Sequence, residues 1–214
     1  MQNTPISTKY MKRITFYAVL FIAFSCSQNK KEKPNTNSES ITNINEIVEA
    51  IIIQDSLDVF SKSKDSPMFC SELRKLKIFI PEKIENGLTP PPPPRDIYIT
   101  SLLNHSIQEE VFFSSKDSLY LLKQNLNPER LKIETELINQ LNTTTVEKEL
   151  IKRKYHRKYR LYEMTIPVFS IDRQKAYVQL DYFCGSLCGG GKAIYLKKIN
   201  GKWTIIQKWG TWMS

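Results

Sequence analysis

The 214-residue sequence predicts an α+β fold, in which N-terminal helices are followed by a C-terminal antiparallel β-meander. Apolar residues recur with helical spacing from Ile44 onward, whereas residues 165–214 alternate with the period of two that is typical of strands. The dipeptide Asn200-Gly201 lies between two of the alternating segments. It predicts a tight hairpin, because both central residues of a type I′ turn need a positive φ.

The composition is that of a folded chain. Hydrophobic residues make up 41% and charged residues 25% of the sequence, which excludes a membrane protein with many spans. Seven glycines are too few for a collagen-like repeat. Because the chain holds only two histidines, a metal centre built from several histidines is not expected, and no cofactor is predicted.

The amino terminus has the pattern of a secretory signal peptide. Three basic residues within 9–13 precede an apolar run over 14–24, which is too short to span a bilayer as a helix. Ser25 and Cys26 follow, and this small residue before a cysteine resembles the lipobox of bacterial lipoproteins. The resemblance implies that residues 1–25 are removed and that Cys26 becomes a lipid-modified first residue.

A lipidated Cys26 implies a lipoprotein of the cell envelope, held outside the cytoplasm on the periplasmic face or the outer surface. Acyl chains such as palmitate contribute about 0.8 kcal/mol per buried CH₂, so several chains hold a protein firmly on a membrane. The alternatives are an uncleaved anchor and an ordinary signal peptide with a free cysteine. Met11 opens a shorter signal and is an alternative start to Met1.

A polar tether is predicted over 26–43 and a single α+β domain over 44–214, with the meander at 165–214. The tether is rich in Asn, Ser and Lys, and it cannot bury enough apolar surface to offset the entropy of ordering. The first helix is predicted from Ile44 to about Ser63, because its apolar residues follow the i, i+3, i+4, i+7 pattern. Asn43 or Asn45 is a suitable N-cap.

The middle of the chain is less regular. Residues 73–80 alternate as a strand, and Pro81 ends it. The prolines 90–94 predict a polyproline II segment, either a docking peptide for an aromatic groove or, as we favour, a stiff spacer. Residues 96–103 and 117–122 are compatible with a helix or a strand. Asn127-Pro128-Glu129 is a good helix start and predicts a helix over about 128–141.

Residues 148–160 carry seven basic side chains and one acidic one. Interleaved aromatic rings allow a nucleic-acid patch, but an exported protein is not expected to meet nucleic acid. Anionic lipids, acidic glycans or an acidic protein are the more suitable partners, and a solvated helix or mobile loop is the simpler interpretation. The candidate contact residues are Lys152, Arg153, Lys154, Arg157, Lys158 and Arg160.

Four strands are predicted in the C-terminal part. They cover 165–170, 175–184, 192–199 and 203–209. In the second strand the even-numbered residues from Ala176 to Tyr182 share one face, and the odd-numbered residues share the other. The three tryptophans, Trp203, Trp209 and Trp212, are expected to anchor the core rather than form a ligand cage.

The segment CGSLCGGG, residues 184–191, is the sharpest local feature, and its four glycines predict a turn with unusual backbone angles. We expect a disulfide between Cys184 and Cys188, with Cys70 free and buried; Cys70 paired with either is the next option. A zinc site would also need His105 and His156, and neither is tied to the turn by spacing.

The C-terminal string YFCGSLCGGGKAIYLKKINGKWTIIQKWGTWMS is similar to the end of a group of uncharacterised bacterial lipoproteins. They share a C-G-x-x-C-G-G-G turn, a later N-G-K-W hairpin and a Trp-containing end. The similarity covers about the last fifty residues, with DSLYLLKQN at 117–125 as a weaker block. It implies an envelope lipoprotein and no particular activity.

Three functions are compatible with these observations. The favoured one is a non-enzymatic binding or accessory domain of the envelope, because no motif of nucleophile, base and orienting group is present. The second is an envelope hydrolase that uses Cys184 or Cys188 with His105, or the carboxylates of Asp181 and Glu163. The third is an immunity-type or inhibitor lipoprotein that covers a toxin.

The charge is unevenly distributed along the chain. The net charge is +9, but residues 26–147 hold 14 basic and 18 acidic side chains, while residues 148–214 hold 14 basic and only 4 acidic ones. The C-terminal region is therefore where an acidic partner is expected.

Overall fold

The computed structural model of the protein describes residues 36–63, 65–82, 87, 89–154, 160–185 and 188–214. Five helices are interspersed among the strands of this part of the chain, which ends with five strands in succession. The helices are α1 Thr36–Gln54, α2 Ile99–Leu103, α3 Ser118–Lys123, α4 Thr135–Gln140 and α5 Val146–Lys154. Short 3₁₀ turns at Ser115–Asp117 and Gln124–Leu126 flank α3.

The strands are short in the middle of the chain and long at its end. The short strands are β1 Met68–Cys70, β2 Glu72–Arg74, β3 Ile78–Phe79, β4 Ile97–Tyr98, β5 Ser106–Ile107, β6 Glu110–Val111, β7 Arg130–Lys132, β8 Thr143–Thr144, β9 Leu161–Met164 and β10 Val168–Phe169. The long strands are β11 Lys175–Gly185, β12 Cys188–Ile199 and β13 Lys202–Met213.

A mixed sheet organises the described residues. Its strand order is β13-β12-β11-β9-β1-β8, and β10 pairs with β11 beside this path. The pairs from β9 to β13 are antiparallel, whereas β1 runs parallel to both β8 and β9. The predicted mixed fold with an antiparallel-rich sheet is therefore confirmed. The helices-first order is not supported, because β1 and β8 come from the helix-containing middle of the chain.

Both faces of the sheet are buried, so the sheet has a layer on each side. On the first face, here called the helix face, Ala176, Val178 and Leu180 pack against the apolar stripe of α1. On the opposite face, the aromatic face, Tyr177 and Tyr195 pack against α2, α3 and the segment around 112–113. This confirms the predicted alternation of the two faces along the strand.

Helix α1 differs from its prediction at both ends. It begins at Thr36, within the predicted tether, and it ends at Gln54 instead of near Ser63. The positive φ of 54° at Ser56 takes the chain out of the helix. Neither predicted N-cap is at the start: Asn43 accepts a hydrogen bond from Trp203, and Asn45 accepts one from the backbone of Glu134.

The helix predicted over 128–141 is wrong in its first half. Residues Arg130–Lys132 form β7, which pairs with Glu72–Arg74. The backbone N–H of Ile133 then donates to Ser71, so the helix begins only at Thr135. The tertiary pairing of the chain with β2 outweighs the local helix signal at Asn127-Pro128. The strand predicted over 73–80 is likewise divided into two short strands.

The last three predicted C-terminal strands are confirmed and are longer than predicted, whereas the strand predicted over 165–170 is reduced to Val168–Phe169. Asn200 and Gly201 have φ of 51° and 78° and join β12 to β13, as the Asn-Gly signal predicts. The glycines 189–191, expected in a turn, lie in β12, which begins at Cys188. Among the described helices, none combines the length and apolar character needed to cross a membrane.

Candidate functional site

A buried cluster of opposite charges lies in the sheet where β9 and β11 pair. Glu163 and Asp181 are direct cross-strand partners, and their side chains are 4% and 2% exposed. Two carboxylates placed side by side in the interior repel each other unless cations accompany them. The sequence hypothesis named these two residues as a carboxylate pair, and the two side chains do lie next to each other.

Three arginines surround the two carboxylates. Arg95 bonds to both, with its Nε 2.8 Å from Asp181 Oδ2 and an Nη2 bond to Glu163. Arg130 Nη1 lies 2.5 Å from Glu163 Oε1, and Arg74 Nη2 lies 3.6 Å from Asp181 Oδ2. The cluster thus has three guanidiniums for two carboxylates. We refer to these five residues as the charge cluster.

The cluster holds Glu163 in its ionised form. Burial by itself would raise the pKa of this carboxyl, but the charges and hydrogen bonds of Arg95 and Arg130 outweigh burial and lower it. The same carboxylates raise the pKa of Arg95 above its ordinary value, against the effect of burial. Burial, with the nearby charge of Arg95, lowers the pKa of Arg74. Arg74 Nε is buried without a hydrogen-bond partner among the described residues.

Trp212 reaches the cluster across the glycines of β12. Its indole Nε1 donates to Asp181 Oδ1 at 2.9 Å. A Cβ atom on Gly191 would lie 2.1 Å from that nitrogen, and a Cβ on Gly189 would lie 3.1 Å from the same ring. The glycines are therefore needed for close packing of the indole on the strand, rather than for a turn.

An aromatic pocket of about 610 Å³ opens beside the cluster on the aromatic face. Its walls include Trp209, Trp212, Phe183 and Tyr195, and its polar lining includes Gln179. The Trp209 ring stacks on Tyr195 with centroids 5.0 Å apart and is itself 38% exposed. Concave sites with aromatic walls and few polar groups are typical of ligand binding.

Arg95 joins the pocket to the charge cluster. Its guanidinium lies over the Phe183 ring, 5.4 Å from the centroid, and its side chain is 34% exposed. Its backbone has a φ of 69°, a conformation that costs a non-glycine residue energy. The side chain of this residue is held by its bonds to the two carboxylates.

The polyproline segment forms one wall of the same pocket. Pro92, Pro93 and Pro94 line it, and the Tyr98 hydroxyl donates to the Pro90 carbonyl at 2.7 Å. The segment therefore positions Arg95, which follows it directly, over the aromatic face. This is the behaviour expected of a stiff spacer packed on the domain surface.

The cysteines adopt the predicted pairing. Cys184 and Cys188 are joined as a disulfide with Cα atoms 5.1 Å apart, and Cys70 is a buried free thiol. Burial raises the pKa of the Cys70 thiol, which disfavours the nucleophilic thiolate. A thiol nucleophile at Cys184 or Cys188 is not present in this form of the protein.

His105 does not serve the hydrolase hypothesis. Its Nε2 lies 2.8 Å from Gln207 Oε1, and its ring packs against Tyr195 and Trp209 on the aromatic face. Cys184 and Cys188, in contrast, line a second cavity on the helix face. Within the described residues, no group of three or more His, Cys, Asp and Glu side chains is arranged to hold a metal ion.

Most of the candidate basic contacts lie outside the described residues. Arg157 and Lys158 are not described, and neither are the side chains of Lys152–Lys154, although their backbone belongs to α5. Arg160 is exposed, and its carbonyl accepts a hydrogen bond from Met68. Cys26, the predicted signal peptide and His156 also lie outside the described residues.

The residues that sequence reasoning missed are Arg74, Arg95 and Arg130. They come from three separate segments, and no spacing in the sequence connects them with Glu163 or Asp181. The one local signal was the position of Arg95 directly after the prolines. A run of prolines is also found in surface loops, so this signal does not identify a site. Comparison of the chain with protein-family models, with curated proteins and with solved structures gives no match.

Proposed function

We propose that this protein is a lipid-anchored, non-enzymatic binding protein of the bacterial cell envelope, and that it holds its ligand in the aromatic pocket. The observation that carries the proposal is the pocket of about 610 Å³ with Trp209 and Trp212 in its walls and Arg95 at its edge. Aromatic rings supply contact area, and the guanidinium supplies a charged group for orientation. Arg95 and Asp96 lie side by side in the lining and give the pocket one charged group of each sign with which to orient a ligand.

Two features favour binding over catalysis. A carboxylic acid that donates a proton needs a raised pKa, whereas the arginines lower the pKa of Glu163. The cysteines proposed for the hydrolase alternative are joined to each other and lie on the opposite face of the sheet from His105. Each carboxylate of the pair is engaged by arginine, so its role is to orient Arg95.

The membrane anchor is supported by the sequence around Cys26. Replacement of this residue by serine removes the acceptor thiol, so a Cys26→Ser variant expressed in a bacterial host should move from the membrane to the soluble fraction. It should also lose incorporation of an alkyne-labelled palmitate. Retention on the membrane with unchanged labelling would overturn the anchor proposal and leave pocket binding to be judged separately.

Pocket binding is tested by site-specific photo-crosslinking in the intact envelope. A benzophenone amino acid replaces Ser101, an exposed residue on the pocket wall, and the control position is Leu126, which is 81% exposed and does not line the pocket. The proposal predicts adducts from position 101 that are absent from position 126. Replacing Trp209 by Ala should weaken them, because it removes a wall of the pocket.

Identical adducts from both positions, or adducts at position 101 that do not respond to the Trp209 change, would contradict the proposal. The inhibitor alternative also requires a protein ligand. It would be favoured if the crosslinked partner is a toxin whose activity the purified protein blocks.

A further inference from the structure

The long strand β13 ends the sheet, and no strand among the described residues pairs with its outer side. It has twelve residues and runs to Met213 near the carboxyl terminus. An outer strand of this length exposes backbone donors and acceptors, and natural proteins normally protect such edges. In the first half of β13, a side chain of α1 protects the edge.

The side-chain amide of Gln54 lies on the outer edge of β13 and imitates a neighbouring strand. Its Oε1 accepts the backbone N–H of Ile205 at 2.8 Å, and its Nε2 donates to the Trp203 carbonyl at 2.8 Å. One side-chain amide thereby supplies the donor and the acceptor that backbone groups of an added strand would supply at this place. The outer edge of β13 is thus geometrically suited to accept a peptide.

The second half of β13 has no comparable cover among the described residues. The Ser214 N–H donates inward to the Gly189 carbonyl. Backbone groups of an antiparallel strand point alternately toward the partner strand and away from it. A β-bulge lies where Gly191 pairs with Trp212 and Lys192 pairs with Gly210. With this bulge included, the backbone groups of Met213, Gly210 and Lys208 face outward.

Each side of this free edge has a cavity. The aromatic pocket lies on one face, and a cavity of about 810 Å³, whose lining is mainly apolar and includes Tyr182 and Met213, lies on the helix face. Thr211 and Trp212 line both cavities. The side chains of an added strand would alternate between the two faces and enter the two cavities in turn.

The charge of the edge indicates which peptide fits. The segment 188–214 contains five lysines and no acidic residue. Lys192 and Lys208 both bond to Asp55, so that group keeps a net positive charge beside the helix-face cavity. At the aromatic pocket, in contrast, Arg95 already bonds to two carboxylates, and Asp96 also lines the pocket, so there is no comparable excess of positive charge. Acidic side chains of the added strand would therefore be attracted on the helix face, and its apolar side chains would enter the aromatic pocket.

We infer that an extended acidic segment of a partner protein adds as a strand to Lys208–Met213, with its alternate side chains in the two cavities. This inference rests on the proposed binding function and names the class of partner. Main-chain hydrogen bonds hold the segment, and the cavities select apolar and acidic side chains.

The test uses the full chain and labelled eight-residue peptides that alternate Asp or Glu with Val, Ile or Phe. Fluorescence anisotropy should show that acidic peptides bind at least about tenfold more tightly than peptides with Lys in place of the acidic residues. N-methylation of alternate peptide nitrogens on the bonding edge should abolish binding, because it removes main-chain donors without changing side chains.

Gly210 provides the matched pair of protein variants. Gly210→Pro removes an outward N–H, whereas Gly210→Ala keeps it, and the new Cβ would meet only an atom 3.9 Å away. We expect the proline variant to bind about tenfold more weakly or not at all, and the alanine variant to bind within about twofold of the wild type. Near-ultraviolet circular dichroism of both variants should match the wild type.

Several results would overturn the inference. They are equal binding of the proline and alanine variants, binding that tolerates N-methylation, absence of binding by every acidic peptide, and binding of the edge to anionic phospholipid vesicles in place of peptides. If crosslinking from position 101 persists in any of these cases, the pocket function stands and only strand addition fails. If it is also absent, both proposals fail.

Discussion

Trp212 donates its indole N–H to Asp181 at 2.9 Å, across the bare backbone of Gly191. Asp181 lies on β11 and Trp212 lies on β13, and strand β12 with its glycines lies between them. This contact links the edge of the sheet to the buried charge cluster, because the same carboxylate also bonds to Arg95.

Adding a methyl group at Gly191 should displace Trp212. In a Gly191→Ala variant the Cβ would lie 2.1 Å from the indole nitrogen, so the ring must move and its hydrogen bond to Asp181 is lost. We expect a loss of about 1–3 kcal/mol in the free energy of unfolding, measured by urea denaturation. In Gly190→Ala the nearest atom is at 3.4 Å, and stability should change by less than about 1 kcal/mol. Equal effects of the two changes would contradict this role for Gly191.

Removing the Asp181 carboxylate should be costly, because it leaves guanidinium groups buried without their partner. For Asp181→Ala we expect a loss of about 3–5 kcal/mol in the free energy of unfolding. The exposed Asp58 is the control, and its replacement by Ala should cost no more than about 0.5 kcal/mol. In a double-mutant cycle with Arg95→Ala the two losses should not add, because both changes remove the same ion pair. Additive losses would show that the pair contributes little.

Stability should fall in acid because of Glu163. The arginines hold its pKa below the ordinary value of 4.5 in the folded protein, so its stabilising contribution is present above that value. The contribution is lost as the pH falls through the folded pKa, since the unfolded chain binds the proton first. Urea midpoints measured between about pH 6 and pH 3 should fall for the wild type and fall less steeply for Glu163→Gln. Identical pH profiles would refute this assignment.

The disulfide should protect two of the thiols from alkylation. Unreduced folded protein should not react with iodoacetamide at Cys184 or Cys188, whereas reduction should make both reactive while the buried Cys70 stays protected. Because the loop closed by the bond is short, a variant with both cysteines replaced by serine should lose only about 2 kcal/mol in the free energy of unfolding. If mass spectrometry finds both Cys184 and Cys188 alkylated in the unreduced native protein, the pairing is ruled out.

Local patterns were sufficient for the three long strands β11, β12 and β13, but not for the short strands β9 and β10. Period-two alternation and the Asn200-Gly201 pair each act over a few residues, so strand, face and turn follow from neighbouring side chains. The disulfide partners were also predictable, because a strand hairpin brings Cys184 and Cys188 together. The helix predicted over 128–141 failed because β7 pairs with β2, a contact between segments far apart in the chain.

The signal-peptide pattern, the charge distribution, the alternation of β11 and the Asn-Gly hairpin are properties of the sequence by itself. Only the tertiary structure decided that Arg74, Arg95 and Arg130 meet around Glu163 and Asp181, and that Gly191 lies beneath Trp212. The reason is physical. A buried charge is stable only when opposite charges accompany it. Here these charges lie on segments far apart in the chain, and the sheet pairing that brings them together has no periodic pattern in the sequence.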